Sequence, residues 1–325
     1  MARHTRTSRR LPKAAGAAGA AACFIAAGSL ALADTSPRQA AQGPEVTGGV
    51  ATYRSDATIG RLSVPSSWTK IVIGKGVTLR GNFLIPADRT AALTIQGKDA
   101  RTSRLVGHGS HVKDTDLAAV STEARIDLRL KTFTSLNPRH FHIIAKRARV
   151  LASGIRVIDD RDEYHNNSDG FGGGDGSVIE DSYFDTWDDT FKIYNGDLTV
   201  RNTTVLHNAN GAPVQMAWGD YGHGTLIADG LKVVSHSGNH YNQGLFSWAG
   251  GTKPDSRSVE LTGEGLIRST APDMRTAPLY VWKDGVRNKT ISVRGGVCSA
   301  LRSTGANTVF EPGARDNTVR VTDCY

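Results

Sequence analysis

The chain has 325 residues, a formal net charge of +8 and 7% aromatic residues. Five of its cationic side chains lie in the first 33 residues, which contain no acidic residue, so the remaining 292 residues carry a formal charge of about +3. No basic stripe of the kind that binds nucleic acid remains, which excludes nucleic-acid binding as the main function.

Residues 1 to 33 predict an export signal. A basic segment is followed by an apolar run rich in Ala and Gly that ends on Ala31-Leu32-Ala33, the order of a secretory signal and its cleavage site. The run is too short for a membrane anchor, so we expect a secreted protein without a membrane span. The Arg9-Arg10 pair leaves the general and twin-arginine export routes open. Residues 34 to 50 are polar and rich in Pro and Gly, and we interpret them as a disordered leader.

Residues 51 to 325 predict a single all-β domain. Short β-branched runs recur, separated by Gly, Asn and Asp, and a polar step in each run marks a loose period in the twenties, at Ser153, Asp181, Asn202 and Asp229. Such a period favours a right-handed parallel β-helix over a β-sandwich, in which tight turns would follow one another much more closely along the chain. The clearest runs cover 149 to 159, 177 to 186, 198 to 208, 225 to 236, 258 to 269 and 290 to 300.

Three aspartates in the middle of the chain are the candidate catalytic residues. Asp169 opens the stretch "DGFGGGDG", and Asp188 and Asp189 follow Trp187 in "WDDTFKIY". The separation between Asp169 and Asp188 is close to one coil, so we expect all three carboxyls near one another if a corner falls at the pair. Neighbouring carboxyls raise one another's pKa, and a protonated carboxyl is a candidate general acid, which predicts a mildly acidic pH optimum.

The surroundings of the three aspartates predict a glycan groove. The glycines after Asp169 remove side chains where a bulky substrate would approach the backbone. Lys192 shares strand parity with Asp188 and places a cation near the acid. Aromatic residues gather in the same coils, and we expect most of them to face outward and stack on sugars: Tyr164, Trp187, Tyr194, Trp218, Tyr221, Tyr241 and Trp248.

These residues resemble glycoside hydrolase family 49, the dextranases and isopullulanases. The resemblance rests on Ser168-Asp169-Gly170 and on "WDDTFKIYNGDLTVRNTTVLHNANGAPVQMAWG" from 187 to 219. It implies a right-handed parallel β-helix that hydrolyses a polysaccharide with inversion. It also implies that Asp188 is the general acid and that Asp169 and Asp189 activate water. By the same resemblance the sugar groove is lined by Asn208, Asn210, Gln215 and Trp218, to which the residue pattern adds Lys192, Trp187 and Tyr194.

Other functions remain open at this point. The acidic run from 159 to 169 offers oxygen ligands for the calcium of a polysaccharide lyase, although only Lys192 and Arg201 are near to hold uronate carboxylates. Gly222-His223-Gly224 resembles a polygalacturonase motif, and a non-catalytic β-helix that binds a glycan is a third alternative. We expect the hydrolase to act on its polysaccharide as a monomer, without a cofactor or a catalytic metal.

The last two cysteines predict a disulfide. Cys298 and Cys324 are the pair that remains once Cys23 is removed with the signal, and exported proteins commonly pair such cysteines. A bond between them would fasten the end of the chain to the final coils.

Overall fold

A computed structural model describes residues 43–107, 110–161, 168–194, 196–208, 210–220, 222–235, 244–270, 278–297 and 308–325. These ranges form 27 strands and one short 3-10 helix, η1 (Thr115–Leu117). None of the described segments is a helix long and apolar enough to cross a membrane.

The strands are short and follow one another along the whole described chain. The first half contains β1 (Glu45–Thr47), β2 (Val50–Tyr53), β3 (Ala57–Ser63), β4 (Lys70–Ile73), β5 (Thr78–Ile85), β6 (Leu93–Gly97), β7 (Arg104–Val106), β8 (Val120–Thr122), β9 (Asp127–Lys131), β10 (Thr134–Leu136), β11 (Ile143–Ala145), β12 (Arg149–Ser153), β13 (Arg156–Ile158) and β14 (Phe171–Gly173). The second half contains β15 (Ser177–Glu180), β16 (Tyr183–Thr186), β17 (Phe191–Lys192), β18 (Leu198–His207), β19 (Val214–Trp218), β20 (Thr225–Ser235), β21 (Phe246–Ala249), β22 (Asp255–Leu261), β23 (Leu266–Thr270), β24 (Tyr280–Trp282), β25 (Lys289–Gly295), β26 (Thr308–Phe310) and β27 (Thr318–Thr322).

The fold is a parallel β-helix, as the sequence predicted. Every strand except β1 pairs in parallel with a strand of a neighbouring coil, and the pairing of β1 with β2 is the one antiparallel pairing among the described residues. The pairings trace three faces of the solenoid. The first face runs through β12, β15, β18 and β20, the second through β10, β13, β16 and the ends of β18 and β20, and the third through β11, β14, β17, β19, β21 and β24.

The core consists of inward side chains that stack coil upon coil. In-register parallel pairing puts equivalent residues directly above one another, roughly 4.8 Å apart. One such column on the third face is Ile143, Phe171, Phe191, Val214, Phe246 and Tyr280, each at most 3% exposed. Burying a large apolar side chain contributes roughly 1.5–3 kcal/mol, so such columns hold the coils in register.

The pairings correct the predicted coil register by one residue. Ser153 aligns with Glu180, Arg201 and Asp229 on the three coils that follow it. The predicted markers Asp181 and Asn202 each lie one position beyond the aligned residue. Both have positive φ, and Asn and Asp tolerate that left-handed conformation better than most residues, so they mark the corner rather than the strand.

The domain begins earlier than predicted. The disordered leader was expected to extend to residue 50, but β1 and β2 already form an antiparallel hairpin, with Glu45 opposite Thr52. The export signal and residues 34 to 42 lie outside the described residues and stay predictions.

The predicted disulfide is not tested by the fold, because Cys298 lies outside the described residues. Cys324 packs against the core from a partly buried position. The amide of Tyr325 donates to the carbonyl of Gly296 at 3.0 Å, which fastens the last residue to the coil below. A Cys298–Cys324 bond remains a prediction.

A ladder of left-handed residues turns the corner between the first and second faces. One residue per coil has positive φ at this place: Thr132 (56°), Gly154 (62°), Asp181 (50°), Asn202 (42°) and Gly230 (71°). Thr132 is the strained member, because a β-branched side chain disfavours this conformation.

We therefore expect Thr132→Asn to raise the free energy of unfolding by about 0.5–1 kcal/mol, since Asn relieves that strain. Chemical denaturation measures the change. Gly154→Ala is the matched control one coil on, where a new Cβ meets no atom within 4 Å but the positive φ disfavours alanine. It should destabilise by a similar amount, and a destabilised Thr132→Asn would contradict the argument.

Candidate active site

The three aspartates lie where the chain turns from the second face to the third. Asp169 stands two residues before β14 and Asp189 two residues before β17, and these strands pair through Phe171 and Phe191. The amide of Gly170 donates to the carbonyl of Asp189 at 2.9 Å, so the two aspartates stack on successive coils. This is the one-coil separation that their spacing predicted.

A corner brings Asp188 to the same side as Asp189. One carboxylate oxygen from each of Asp169, Asp188 and Asp189 lies within 4.8 Å of the others. The corner is braced internally, because the Thr186 hydroxyl donates to the carbonyl of Asp188 at 3.0 Å and the Asp189 amide donates to Asp188 Oδ1 at 2.9 Å. Strand alternation alone would have sent the two carboxyls to opposite faces.

Gly211 allows the following coil to pack against this corner. A Cβ there would lie 2.1 Å from both the Asp188 carbonyl carbon and the Asp189 amide nitrogen. The close approach lets the amide of Ala212 donate to Asp189 Oδ1 at 2.9 Å. Sequence reasoning did not select Gly211; its only signal was a glycine one coil after an Asp-Asp pair.

Lys192 lies between two of the carboxylates. Its Nζ donates to Asp169 Oδ1 in a very short contact and to Asp189 Oδ2 at 3.0 Å. The ammonium also stands 5.1 Å from the ring centroid of Phe141 and 5.8 Å from that of Trp218. Only 10% of the side chain is exposed, so its main partners are the carboxylates.

The electrostatics of the site favour a retained proton. Burial raises the pKa of Asp169 well above its usual range, and the charges of Asp188 and Asp189 raise it further, while Lys192 opposes the shift. Burial disfavours the charged form of Lys192, but the neighbouring carboxylates outweigh that cost and its pKa is raised. With three carboxyls against one ammonium, the cluster keeps a proton at a pH where isolated aspartates are ionised.

Gln215 is anchored beside Asp189. With its amide nitrogen toward the site, it lies 3.3 Å from Asp189 Oδ2. In the opposite orientation the nitrogen donates to the backbone carbonyls of Ser247 and Ala217 at 2.6 and 2.8 Å, and the amide oxygen faces the site. The second orientation makes two shorter hydrogen bonds, and Gln215 is fully buried in either case.

The residues that were predicted to contact sugar differ in their exposure to solvent. Trp218 is 55% exposed at the end of β19 and lies beside Lys192, while Trp187 and Asn210 are partly exposed. Asn208 is 5% exposed and donates to Asp185 Oδ1 at 2.8 Å and to the carbonyl of Thr186 at 3.0 Å. The predicted sugar-contacting role of Asn208 and Gln215 is therefore corrected, because both are buried and support the corner.

The aromatic set also faces inward more than predicted. Trp248 is fully buried, and Tyr194 is 6% exposed beneath the Lys146 ammonium, 4.3 Å from its ring centroid. The expectation of outward stacking is wrong for these two residues. Trp248 belongs to the core, where it stacks on Trp282 at 6.1 Å. The remaining members Tyr164, Tyr221 and Tyr241 lie outside the described residues.

The glycine stretch serves packing rather than an open substrate bed. A Cβ on Gly172 would lie 2.6 Å from the Tyr194 ring, and one on Gly170 would lie 2.7 Å from the carbonyl oxygen of Thr190. These glycines let a ring and a neighbouring coil approach the backbone, so the expectation of direct substrate approach is corrected.

The charged residues that suggested a calcium-dependent lyase contact other residues of the same chain. Asp159 is buried and forms an ion pair with Arg161, and Asp160 accepts a 2.7 Å hydrogen bond from Asn137. Asp162 and Glu163 lie outside the described residues. Arg201 is exposed on β18, where its partners across the sheet are Glu180 and Asp229, so it does not join Lys192.

In the described part of the chain, the three aspartates are the one group of potential metal ligands close enough to share an ion. The Lys192 ammonium already contacts two of the three and provides a positive charge there. His207 does not enter this group: its Nε2 lies 3.1 Å from the carbonyl oxygen of Gly211 and supports the corner.

Comparison with known proteins finds two dextranases. Over 111 residues the chain is 26% identical to a dextranase of Arthrobacter sp. (strain CB-8) and 27% identical to a dextranase of Arthrobacter globiformis. The matched stretch is 34% of this chain and 17% of each relative, so it spans less than a fifth of their length. No family model matches the chain. The homology is distant and partial; it confirms the resemblance to dextranases and is consistent with glycoside hydrolase family 49.

Proposed function

We propose that this protein is a secreted glycoside hydrolase that cleaves a neutral polysaccharide, with a dextran-type α-glucan as the first candidate. The observation that carries the proposal is the convergence of Asp169, Asp188 and Asp189 within 4.8 Å on a β-helix related to dextranases. The name of the relatives supports the choice of dextran, and the sequence of the first 33 residues supports secretion.

Exposure suggests the role of each aspartate. Asp188 is partly exposed, whereas Asp169 and Asp189 are each 1% exposed. A general acid must contact the glycosidic oxygen, so the accessible Asp188 suits that role. The two buried carboxyls, Asp169 and Asp189, can act on the sugar only through a bound water molecule. They therefore suit the activation of water. Burial favours the protonated form of Asp169, and because the three carboxyls are coupled we propose that the retained proton is delivered through Asp188.

The charge of the site favours a neutral substrate. Three carboxyls face one ammonium, and that ammonium is already bonded to Asp169 and Asp189. A uronate would meet carboxylates of its own sign, whereas a lyase needs free cations to hold the uronate carboxylate. The lyase and pectin-type alternatives therefore receive less support than hydrolysis of a neutral glycan.

Two observations bear on stereochemistry in opposite directions. Inverting glycosidases separate their carboxyls by roughly 6.5–9.5 Å and retaining ones by about 5–5.5 Å. The nearest oxygens here lie within 4.8 Å, which is shorter than the separation expected for inversion. The burial of Asp169 and Asp189 weighs more heavily, because a carboxylate recessed below the groove cannot attack the anomeric carbon directly. We propose inversion.

Replacing the acid tests the assignment of activity. We expect Asp188→Asn to lower kcat on dextran or a related neutral glycan by roughly 10²- to 10⁴-fold, since the amide cannot protonate the leaving group. Release of reducing ends measures the loss, and ultraviolet absorbance detects any unsaturated lyase product. Asp181→Asn is the matched control, because Asp181 is exposed at a corner where Asn is equally compatible with the positive φ. Cleavage that survives in Asp188→Asn would contradict the assignment.

The configuration of the first product tests the mechanism. Proton NMR of a fresh digest should show a β-anomer from an α-linked glucan, because single displacement by water inverts the anomeric carbon. An initial α-anomer would instead indicate a covalent intermediate on Asp169 or Asp189, and the role given to their burial would be wrong.

Trp218 provides a test of substrate binding. We expect Trp218→Ala to raise KM about tenfold, equivalent to about 1.4 kcal/mol, with little change in kcat, because an exposed indole offers a stacking face for a sugar. Steady-state kinetics on defined oligosaccharides measures both constants. Phe310→Ala is the control, since Phe310 is 51% exposed but stands several coils away on β26. Equal effects of the two substitutions would argue against a subsite at Trp218.

A further inference from the structure

Lys192 was predicted to contact substrate, but its surroundings indicate another role. Its ammonium bonds to Asp169 of the preceding coil and to Asp189 of its own coil, and only 10% of the side chain is exposed to solvent. A cation in that position has little surface left to offer a sugar.

The register explains how Lys192 reaches back to Asp169. Phe171 pairs with Phe191, so Lys192 stands one residue further along the same rung, beside Gly172. A side chain on Gly172 would collide with the Tyr194 ring, which fills the space beside that glycine. On the other side Lys192 pairs with Gln215, which is fully buried. From this position its ammonium contacts one carboxylate on each of two coils, Asp169 on the preceding coil and Asp189 on its own.

We infer that Lys192 is a positioning residue that clamps Asp169 and Asp189 together across two coils, so that they present a fixed pair of acceptors to the attacking water. The inference rests on the proposed hydrolase function, which it deepens by assigning how the water-activating pair is held. Without Lys192 the two carboxyls lose the donor that bridges them, and whenever both are ionised they repel each other. A displacement of about 1 Å in such a pair is enough to cost roughly 10²-fold in rate.

The groups that act on Lys192 come from several elements. Asp169, Asp188, Asp189 and the Tyr194 hydroxyl favour its charged form, whereas burial opposes it. From the coil before, His140 also senses the ammonium, and its pKa is lowered to about 4 by burial and by neighbouring charges that include Lys192. His140 is therefore neutral above about pH 5 and adds no charge there. Across pH 5–8 the clamp remains a cation among carboxyls.

The decisive variant is Lys192→Met, which keeps the stem and removes the charge. We expect kcat to fall by about 10²-fold while KM changes less than threefold, because the acceptor pair is lost but no substrate contact is. Lys192→Arg keeps the charge and should recover part of that kcat. Lys283→Met is the matched control: Lys283 is similarly buried and forms an ion pair with Glu311, but it lies several coils away and should leave both constants unchanged.

Stability against pH gives a readout that does not depend on activity. Loss of Lys192 raises the pKa of Asp169 further above its unfolded value near 4. A carboxyl with a raised folded pKa binds more protons in the native state, so stability falls as pH rises from about 4 toward that pKa. In wild type the raised pKa of Lys192 contributes stability that is constant well below pH 10. Wild type shows the same fall only up to its own, lower Asp169 pKa, so the Tm difference between wild type and Lys192→Met should stay constant below that pKa and widen above it. A Tm series from pH 4 to pH 9 measures the change.

The outcomes separate the two proposals. A tenfold rise in KM with unchanged kcat in Lys192→Met would make Lys192 a substrate contact and overturn the inference. A Tm difference that stays constant from pH 4 to pH 9 would also overturn it, because a clamp between carboxylates must respond to their ionisation. If wild type cleaves no glycan, the proposed function fails, while the Tm series on the same proteins still decides whether Lys192 clamps the pair.

Discussion

The candidate site depends on the parallel register between successive coils. Pairing of Phe171 with Phe191 sets Asp169 over Asp189, and pairing of Lys192 with Gln215 continues the same alignment into the next coil. The buried columns of the third face maintain that register, since a slip of one residue would turn every inward side chain outward. The positions of the carboxyls are therefore determined by apolar packing that takes no part in the chemistry.

The electrostatic cost of burying charged groups is the second constraint, and it opposes the apolar packing that sets the register. The apolar core holds Asp169 and Asp189 in surroundings where ionised carboxyls are costly. The fold offsets that cost with a hydrogen bond from Ala212, a corner braced by Thr186 and the ammonium of Lys192. Gly211 belongs to this arrangement although it carries no functional group, because only its missing side chain lets the next coil reach the corner.

The sequence was sufficient for the architecture and for bringing the aspartates together, but not for deciding which neighbours face the groove. Periodic runs identify strands because inward residues must be apolar in every coil. Whether Trp248 or Tyr194 points inward depends on how adjacent coils fill the space, and that information is distributed over residues far apart in the chain. The same holds for Asn208 and Gln215, whose amides satisfy backbone and carboxylate groups of other coils. The coil register was missed by one residue because Asp181 and Asn202 resemble strand markers while occupying left-handed corners.

The cost of the site argues for catalysis over binding alone. A groove that only binds a neutral glycan needs hydrogen-bonding groups and an aromatic face, and Trp218 with its exposed neighbours could supply them. Such a groove gains nothing from three carboxyls within 4.8 Å or from an ammonium buried among them. Burying charges costs several kcal/mol per ion before their mutual attraction is counted, and that attraction only partly repays it. Perturbed carboxyls of this kind concentrate where protons are transferred, because one of them must be protonated while another accepts. Under the proposed function, Asp188 at the surface and the buried pair of Asp169 and Asp189 beneath it would divide those two tasks.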